Sequence, residues 1–233
     1  MKQEERLELA LKYMKNTIGS EDTFRFHCTV CGECCKDRDD IILTPYDFYR
    51  LVRYLKQPME EVFRDNCEWY VGPTSNLPVM VLRKREDGDK SCPFLKENRC
   101  SVHEAKPSVC ALFPLGRALD NDSGKVMYFL QDLTCGLRDE EHTVREWLSV
   151  LDFPASETWF ISWSKCISTL VEKLDFLQER LPREEFILTE NALFFLLYTK
   201  YDMEKDFMEQ FENNAAMAKE LLYLAEKAYQ KKE

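Results

Sequence analysis

The stretch CTVCGECC, residues 28–35, places four cysteines within eight positions. Cys28, Cys31 and Cys34 are each separated by two residues. This spacing lets a tight loop direct several sulfurs towards one point, as happens in metal-binding loops. Cys35 directly follows Cys34, and adjacent side chains normally diverge, so the pair is expected to serve different centres or different roles. The stretch therefore predicts a loop that binds a metal or a metal cluster.

Two other interpretations of the cluster have less support. Buried cysteines pack as small hydrophobes, but this segment is polar and has no apolar face. Cys31 and Cys34 also form a C-x-x-C pair, which can run thiol–disulfide exchange. Such pairs usually follow a strand in a βαβ unit, and no strand is predicted before this one. Gly32, between the two cysteines, tolerates the positive φ that a metal loop requires.

More cysteines follow the cluster. Cys92, Cys100 and Cys110 are spaced by eight and ten residues, and Cys135 comes later. With the cluster they make eight thiols, which suffice for two four-thiolate sites or for one cluster plus structural thiols. Thiolate-rich sites favour zinc, copper(I) or iron–sulfur chemistry over magnesium.

Composition and charge limit the function classes. The chain has 233 residues, 45% of them hydrophobic, which allows one large or two small domains with an apolar core. Its formal net charge of -10 argues against nucleic acid as a partner, because phosphate binding needs surplus Lys and Arg. The longest apolar run, residues 192–198, is far shorter than the roughly 20 residues that cross a bilayer, so no membrane association is expected. The N-terminus lacks the apolar stretch of a secretory signal, which predicts a cytoplasmic location where thiols stay reduced.

Helix signals flank the cysteines. Residues 3–18 show the periodicity of an amphipathic helix. A second helix is expected to begin after Thr44, with Thr44 as N-cap and Asp47 at the third position. The segment QPMEEVFRDNCEWY predicts another short helix that contains Cys67. Cys67 is accordingly expected to be a core thiol.

The middle of the chain predicts strands and the end predicts helices. LPVMVLRKREDGDKSCPFL favours a hairpin centred on residues 87–88, and DNDSGKVMYFLQ favours a turn and a strand. Thr143, followed by Glu146 three residues later, predicts a capped helix start. Three helices are expected near residues 156–178, 183–201 and 204–231, and Cys166 is expected to be a core thiol in the first of them.

These elements predict an α+β fold. A small cysteine-rich metal-binding domain with short strands and helices is expected over residues 1–150. A helical C-terminal region is expected over residues 151–233. Nine of the ten cysteines precede residue 136, so the chemistry is assigned to the first part.

Four blocks of sequence occur in a characteristic order between residues 24 and 148: FHCTVCGECCKD, LTPYDFYRL, CPFLKENRCSVHEAKPSVCALFP and CGLRDEEHTVREW. In this order they resemble the YkgJ-like cysteine-cluster family, a zinc- or iron-chelating domain with a C-x-x-C-x-x-C-C motif. The resemblance implies a centre held by eight thiols: Cys28, Cys31, Cys34, Cys35, Cys92, Cys100, Cys110 and Cys135. Flagellin lysine N-methylases carry a similar domain, which implies a protein-modifying role with a protein substrate. Lys106 stands where the family often has Arg, and Cys135 lacks the family's following Pro and second Gly.

The sequence leaves the metal open. Cys28, Cys31 and Cys34, together with a remote Cys92 followed by proline, parallel ferredoxin usage and favour a 4Fe-4S iron–sulfur cluster. Ferredoxins pair two such loops and this chain has one, so two zinc sites are the alternative to a cluster. A cluster would serve a redox or protein-modifying activity, whereas zinc would brace a module that binds a protein partner.

Histidines and carboxylates near the cysteines are weaker candidates. His27 and His103 could each replace a thiolate at a zinc site, but the cysteines suffice without them. His142 is expected to be solvated at a helix start. The segment KDRDD, residues 36–40, is expected to be a polar loop before a strand.

Overall fold

The computed structural model describes residues 16–38, 40–86, 88, 90–120, 123–132 and 135–230. The helix predicted over residues 3–18 lies mostly outside them. Its last two residues, Thr17–Ile18, form a strand instead of a helix. They pair with Phe129 and Tyr128 of a later strand, so backbone pairing with a distant segment overrides the local helical pattern there.

The described residues contain seven α-helices and ten short strands, and the fold is α+β as predicted. The helices are α1 Pro45–Leu55, α2 Met59–Asn66, α3 Ser108–Leu112, α4 Val144–Trp147, α5 Phe153–Gln178, α6 Arg183–Phe194 and α7 Phe207–Gln230. The strands are β1 Thr17–Ile18, β2 Thr23–His27, β3 Ile42–Leu43, β4 Cys67–Val71, β5 Pro78–Leu82, β6 Leu95–Lys96, β7 Arg99–Cys100, β8 Leu115–Leu119, β9 Val126–Leu130 and β10 Leu137–Thr143. These strands form four small antiparallel sheets with the orders β1-β9-β8, β10-β2, β3-β5-β4 and β6-β7.

Helix α1 begins as the sequence predicts. The Thr44 hydroxyl accepts a hydrogen bond from the backbone N–H of Asp47, at 3.2 Å, and the Asp47 carboxylate accepts one from the backbone N–H of Thr44, at 2.9 Å. This reciprocal capping box satisfies two backbone donors at the helix start. The helix ends at Lys56, which has left-handed backbone angles.

The centre of the hairpin predicted around residues 87–88 lies partly outside the described residues, and the Arg85 N–H donates to the Ser91 carbonyl at 2.9 Å across it. Strand β5, which precedes this turn, pairs with β4 on one side and with β3 on the other. Four of its five residues are buried, so this apolar strand takes the central position, where both edges find partners. Cys67 consequently lies in β4 and not in a helix, although it is fully buried as expected.

The three C-terminal helices form where the sequence predicts them, and they share a core with the first part of the chain. Trp159 of α5 packs against Tyr46 of α1 at a centroid distance of 5.8 Å and against Phe211 of α7 at 4.6 Å. Residues from α1, β5 and all three C-terminal helices belong to one buried apolar cluster. The domain division at residue 150 remains a prediction. No helix of the described residues combines the length and apolarity needed to span a bilayer.

A second, smaller apolar cluster supports the strands beside the cysteine loop. It contains Phe24 and Phe26 of β2, Tyr128 of β9 and Val144 of α4. Helix α4 is a single turn, and it starts with the predicted capping box because Thr143 accepts a hydrogen bond from the N–H of Glu146 at 3.1 Å. This cluster anchors the β2–β10 ladder from which the cysteine loop emerges.

Candidate metal centre

Strand β2 leads directly into the cysteine loop, so the expectation that no strand precedes the C-x-x-C pair is wrong. This strand pairs antiparallel with β10, whereas a βαβ unit requires parallel strands. The loop turns sharply because Val30 and Gly32 both have positive φ, of 55° and 75°. A short 3₁₀ turn, Glu33–Cys35, follows, and the Cys35 N–H donates to the Gly32 carbonyl at 2.9 Å. The positive φ expected at Gly32 is confirmed. Such a turn brings side chains spaced by two or three residues to one side of the loop.

The β2–β10 ladder brings Cys135 to the start of this loop. Leu137 is paired with His27, so Cys135 and Cys28 lie at the same end of the ladder. Burial raises the pKa of the Cys135 thiol, and nearby Cys31 and Cys34 raise it further, Cys31 also through a hydrogen bond. Cys135 therefore lies beside the loop cysteines.

A second backbone contact brings Cys92 to the end of the loop. Lys36 and Ser91 form an isolated antiparallel bridge, and the Cys92 N–H donates to the Cys35 carbonyl at 2.8 Å. The β6–β7 hairpin follows, with Cys100 opposite Leu95. The Leu95 N–H in turn donates to the Cys92 carbonyl at 3.0 Å. Cys35, Cys92 and Cys100 are thereby held in one region.

Cys110 lies in α3, which begins after Pro107. Burial raises the pKa of its thiol, and the neighbouring Cys92 and Cys100 thiols add to the effect. The pKa values of the Cys92 and Cys100 thiols are also raised, mainly by burial. The thiols of this region, Cys35, Cys92, Cys100 and Cys110, thus come from four places in the chain.

Cys34 and Cys35 connect the two sets of thiols. Their sulfurs lie 3.8 Å apart. The hydrogen bond between them lowers the pKa of Cys34 to about 6 and raises the pKa of Cys35. The positive charges of Arg38 and Lys106 also favour the Cys34 thiolate. Metal binding needs deprotonated thiols. Because these cations favour the thiolate form of Cys34, they favour its use as a metal ligand.

The donor set fits zinc or iron, because eight soft thiols from five places in the sequence gather beside positively charged side chains. Among the residues that the structure describes, no three His, Cys, Asp or Glu side chains have an arrangement that could hold a metal ion. Metal binding through these thiols would therefore draw them closer together. Cys67 and Cys166 are remote from the set and buried in the apolar core, where burial raises their pKa values to about 12 and about 11. The ligand roles themselves remain predictions.

The histidines have other contacts. His27 Nδ1 lies 3.2 Å from a carboxylate oxygen of Asp139, and burial lowers the pKa of the exposed His103. His142 directly precedes Thr143, the N-cap of α4, as predicted, but it belongs to β10 and is half-buried and not solvated. Its Nε2 lies 2.9 Å from the Phe26 carbonyl and its ring packs against Trp147. Asp37 and Asp40 lie in the polar segment before β3, and Asp39 is outside the described residues.

Two supporting residues were missed by sequence reasoning. The Asp47 carboxylate, only 1% exposed, accepts hydrogen bonds from the N–H and hydroxyl of Ser108, at 2.8 and 2.6 Å. The Arg85 guanidinium donates to the carbonyls of Pro93 and Leu95, at 2.9 and 2.8 Å. These bonds hold the backbone next to Cys110 and Cys92. The capping motif marks Asp47 as a cap, but no local signal shows its second set of partners.

Comparison with protein-family models matches residues 27–140 to the family described as "CxxCxxCC: Putative zinc- or iron-chelating domain". No curated protein shows a significant match to the chain, and no solved structure does either. The matched segment contains all eight gathered cysteines. Residues 27–140, just under half of the chain, are therefore similar to the CxxCxxCC family, whose domain is described as zinc- or iron-chelating.

Proposed function

We propose that the gathered cysteines hold a metal centre and that this centre is the working part of the protein. The observation that carries the proposal is the convergence of thiols from the 28–35 loop, the 92–100 segment, α3 and the segment directly before β10. Arg38 and Lys106 next to Cys34 compensate the negative charge that several thiolates bring to one site.

The first candidate for the metal is a 4Fe-4S iron–sulfur cluster. The spacing of Cys28, Cys31 and Cys34, together with Cys92 before Pro93, matches ferredoxin usage. A bound cluster would supply electron transfer. The protein would then act as a redox protein or in the modification of a protein substrate, as the resemblance to flagellin lysine N-methylases implies.

Zinc is the second candidate, because ferredoxins pair two C-x-x-C-x-x-C loops and this chain has one. In this case the metal would brace the fold, and the C-terminal helices, which expose Leu188, Phe195 and Leu224, would contact a protein partner.

The proposed setting is the reducing cytoplasm, and the proposed partners are proteins. All ten cysteines are free thiols, which a reducing compartment maintains. The formal net charge of -10 disfavours nucleic acid as a partner.

The test is chemical analysis of the protein purified without oxygen. Iron and acid-labile sulfide in equal amounts would identify a cluster, whereas zinc without sulfide would identify the zinc-braced module. A Cys31→Ser variant should lose the metal, and the matched control Cys166→Ala, in the apolar core, should retain it. Wild-type protein with neither metal would refute the proposal.

A further inference from the structure

The eight thiols form two sets that meet at Cys34 and Cys35. Two backbone contacts, at opposite ends of the 28–35 loop, each bring in a different set of remote cysteines. One is the β2–β10 ladder, and the other is the bridge between Lys36 and Ser91.

We propose that the protein has two four-thiolate metal centres, which deepens the metal-binding function proposed above and rests on it. The outer centre is formed by Cys28, Cys31, Cys34 and Cys135. The inner centre is formed by Cys35, Cys92, Cys100 and Cys110.

The outer set is defined at the start of the loop. The pairing of His27 with Leu137 places Cys135 two residues beyond the ladder on one strand and Cys28 one residue beyond it on the other. The Cys135 thiol lies close enough to Cys31, Cys34 and Cys28 for each of them to raise its pKa. Cys28 is exposed and the other three are half-buried, so this centre faces the surface.

The inner set is defined at the end of the loop. The Cys92 N–H donates to the Cys35 carbonyl, and the β6–β7 hairpin returns the chain so that Cys100 comes near Cys92. Cys110 interacts electrostatically with both Cys92 and Cys100, and Cys35 with Cys92 and Cys110. Cys34 of the outer set also acts on Cys100 and Cys110, so the assignment to two sets rests on the backbone contacts at the two ends of the loop. Cys92, Cys100 and Cys110 also pack against the main apolar core, so this centre lies deeper.

The adjacent residues Cys34 and Cys35 divide between the centres. They are consecutive in a 3₁₀ turn, where successive side chains point about 120° apart. Their sulfurs nevertheless lie 3.8 Å apart, so the two centres are neighbours. Positive charge is present on both sides, with Arg38 and Lys106 acting on Cys34 and Arg85 acting on Cys92.

The first test compares metal content per chain in the wild type, Cys135→Ala, Cys100→Ala and the double variant. Each single variant should keep half of the wild-type metal, and the double variant should keep none. Complete loss in either single variant, or no loss in one of them, would overturn the division into two centres. A wild type that carries only one zinc, or only one cluster, would also overturn it.

The second test uses the wild type, so it does not depend on the folding of any variant. The protein is treated with increasing chelator, its free thiols are alkylated under native conditions, and the modified cysteines are identified by peptide mass spectrometry. The four outer cysteines should become reactive together and before the four inner ones. If Cys34 and Cys35 become reactive in the same step, the division is wrong. A wild-type protein that contains no metal at the outset would instead refute the metal-binding function itself.

Discussion

Asp47 links helix α1 to the helix that carries Cys110, and its replacement by Ala should destabilise both. The carboxylate accepts hydrogen bonds from the N–H and hydroxyl of Thr44, at 2.9 and 2.8 Å. It also accepts bonds from the N–H and hydroxyl of Ser108, at 2.8 and 2.6 Å. Because the side chain is 1% exposed, water cannot replace these bonds without a change in the structure.

The expected loss of stability follows from these contacts. A hydrogen bond to a charged group contributes about 1.5–3 kcal/mol, and the two donors of Ser108 would be left buried without that partner. Loss of the helix cap adds about 1 kcal/mol. Since one side chain makes all four bonds, these values are not fully additive, and we expect a decrease of about 4 kcal/mol in the free energy of unfolding. For a chain of this size that corresponds to a decrease in Tm of about 8–16 °C.

Thermal and urea unfolding of Asp47→Ala, Thr44→Ala and wild type would measure this loss. Thr44→Ala is the matched control, because it weakens the cap but leaves the bonds to Ser108, and it should cost only about 1 kcal/mol. Asp47→Ala should also weaken metal binding about tenfold, as loss of a residue that orients a ligand does. If Asp47→Ala were no less stable than Thr44→Ala, the structural role assigned to the bonds with Ser108 would be wrong.

Three further substitutions test other parts of the structure. Gly136→Ala places a Cβ against the Phe26 ring at a φ of +75°. Calorimetry should therefore show a decrease of about 2–3 kcal/mol in the free energy of unfolding, and metal analysis should show a lower metal content. Wild-type stability would contradict the described ladder. Cys67→Ala, in the apolar core, should leave the metal content unchanged, and a loss of metal would contradict the separation of core thiols from ligands. Trp159→Ala should lower the free energy of unfolding by about 3–5 kcal/mol. The variant should still unfold in one calorimetric transition, because this residue belongs to the core shared by both parts of the chain. Two separate transitions would indicate independent cores.

Elements with strong local signals could be predicted from the sequence. The capping boxes at Thr44 and Thr143 are formed, because a cap depends on residues three positions apart. The three C-terminal helices are long and periodic, and they are present where expected. The strand that contains Cys67 was not predicted, because its conformation depends on pairing with β5 and not on a local signal.

In the candidate site, too, local features could be predicted and contacts between distant segments could not. The spacing in the 28–35 loop identifies the thiols as a set, and the positive φ of Gly32 was expected from its position between two cysteines. Which remote cysteine lies beside which loop cysteine depends on the Lys36–Ser91 bridge and on the β2–β10 register. Both are contacts between distant segments, and no single segment carries a signal for them. The bonds from Ser108 to Asp47 belong to the same class.

The central claim is that cysteine thiolates hold a metal in this protein, and X-ray absorption at the metal edge tests it most directly. The spectrum of anaerobically purified wild-type protein should show a shell of sulfur neighbours at about 2.3 Å from the metal, whether the metal is zinc or iron. A shell of nitrogen or oxygen neighbours at about 2.0–2.1 Å, without sulfur, would contradict the account.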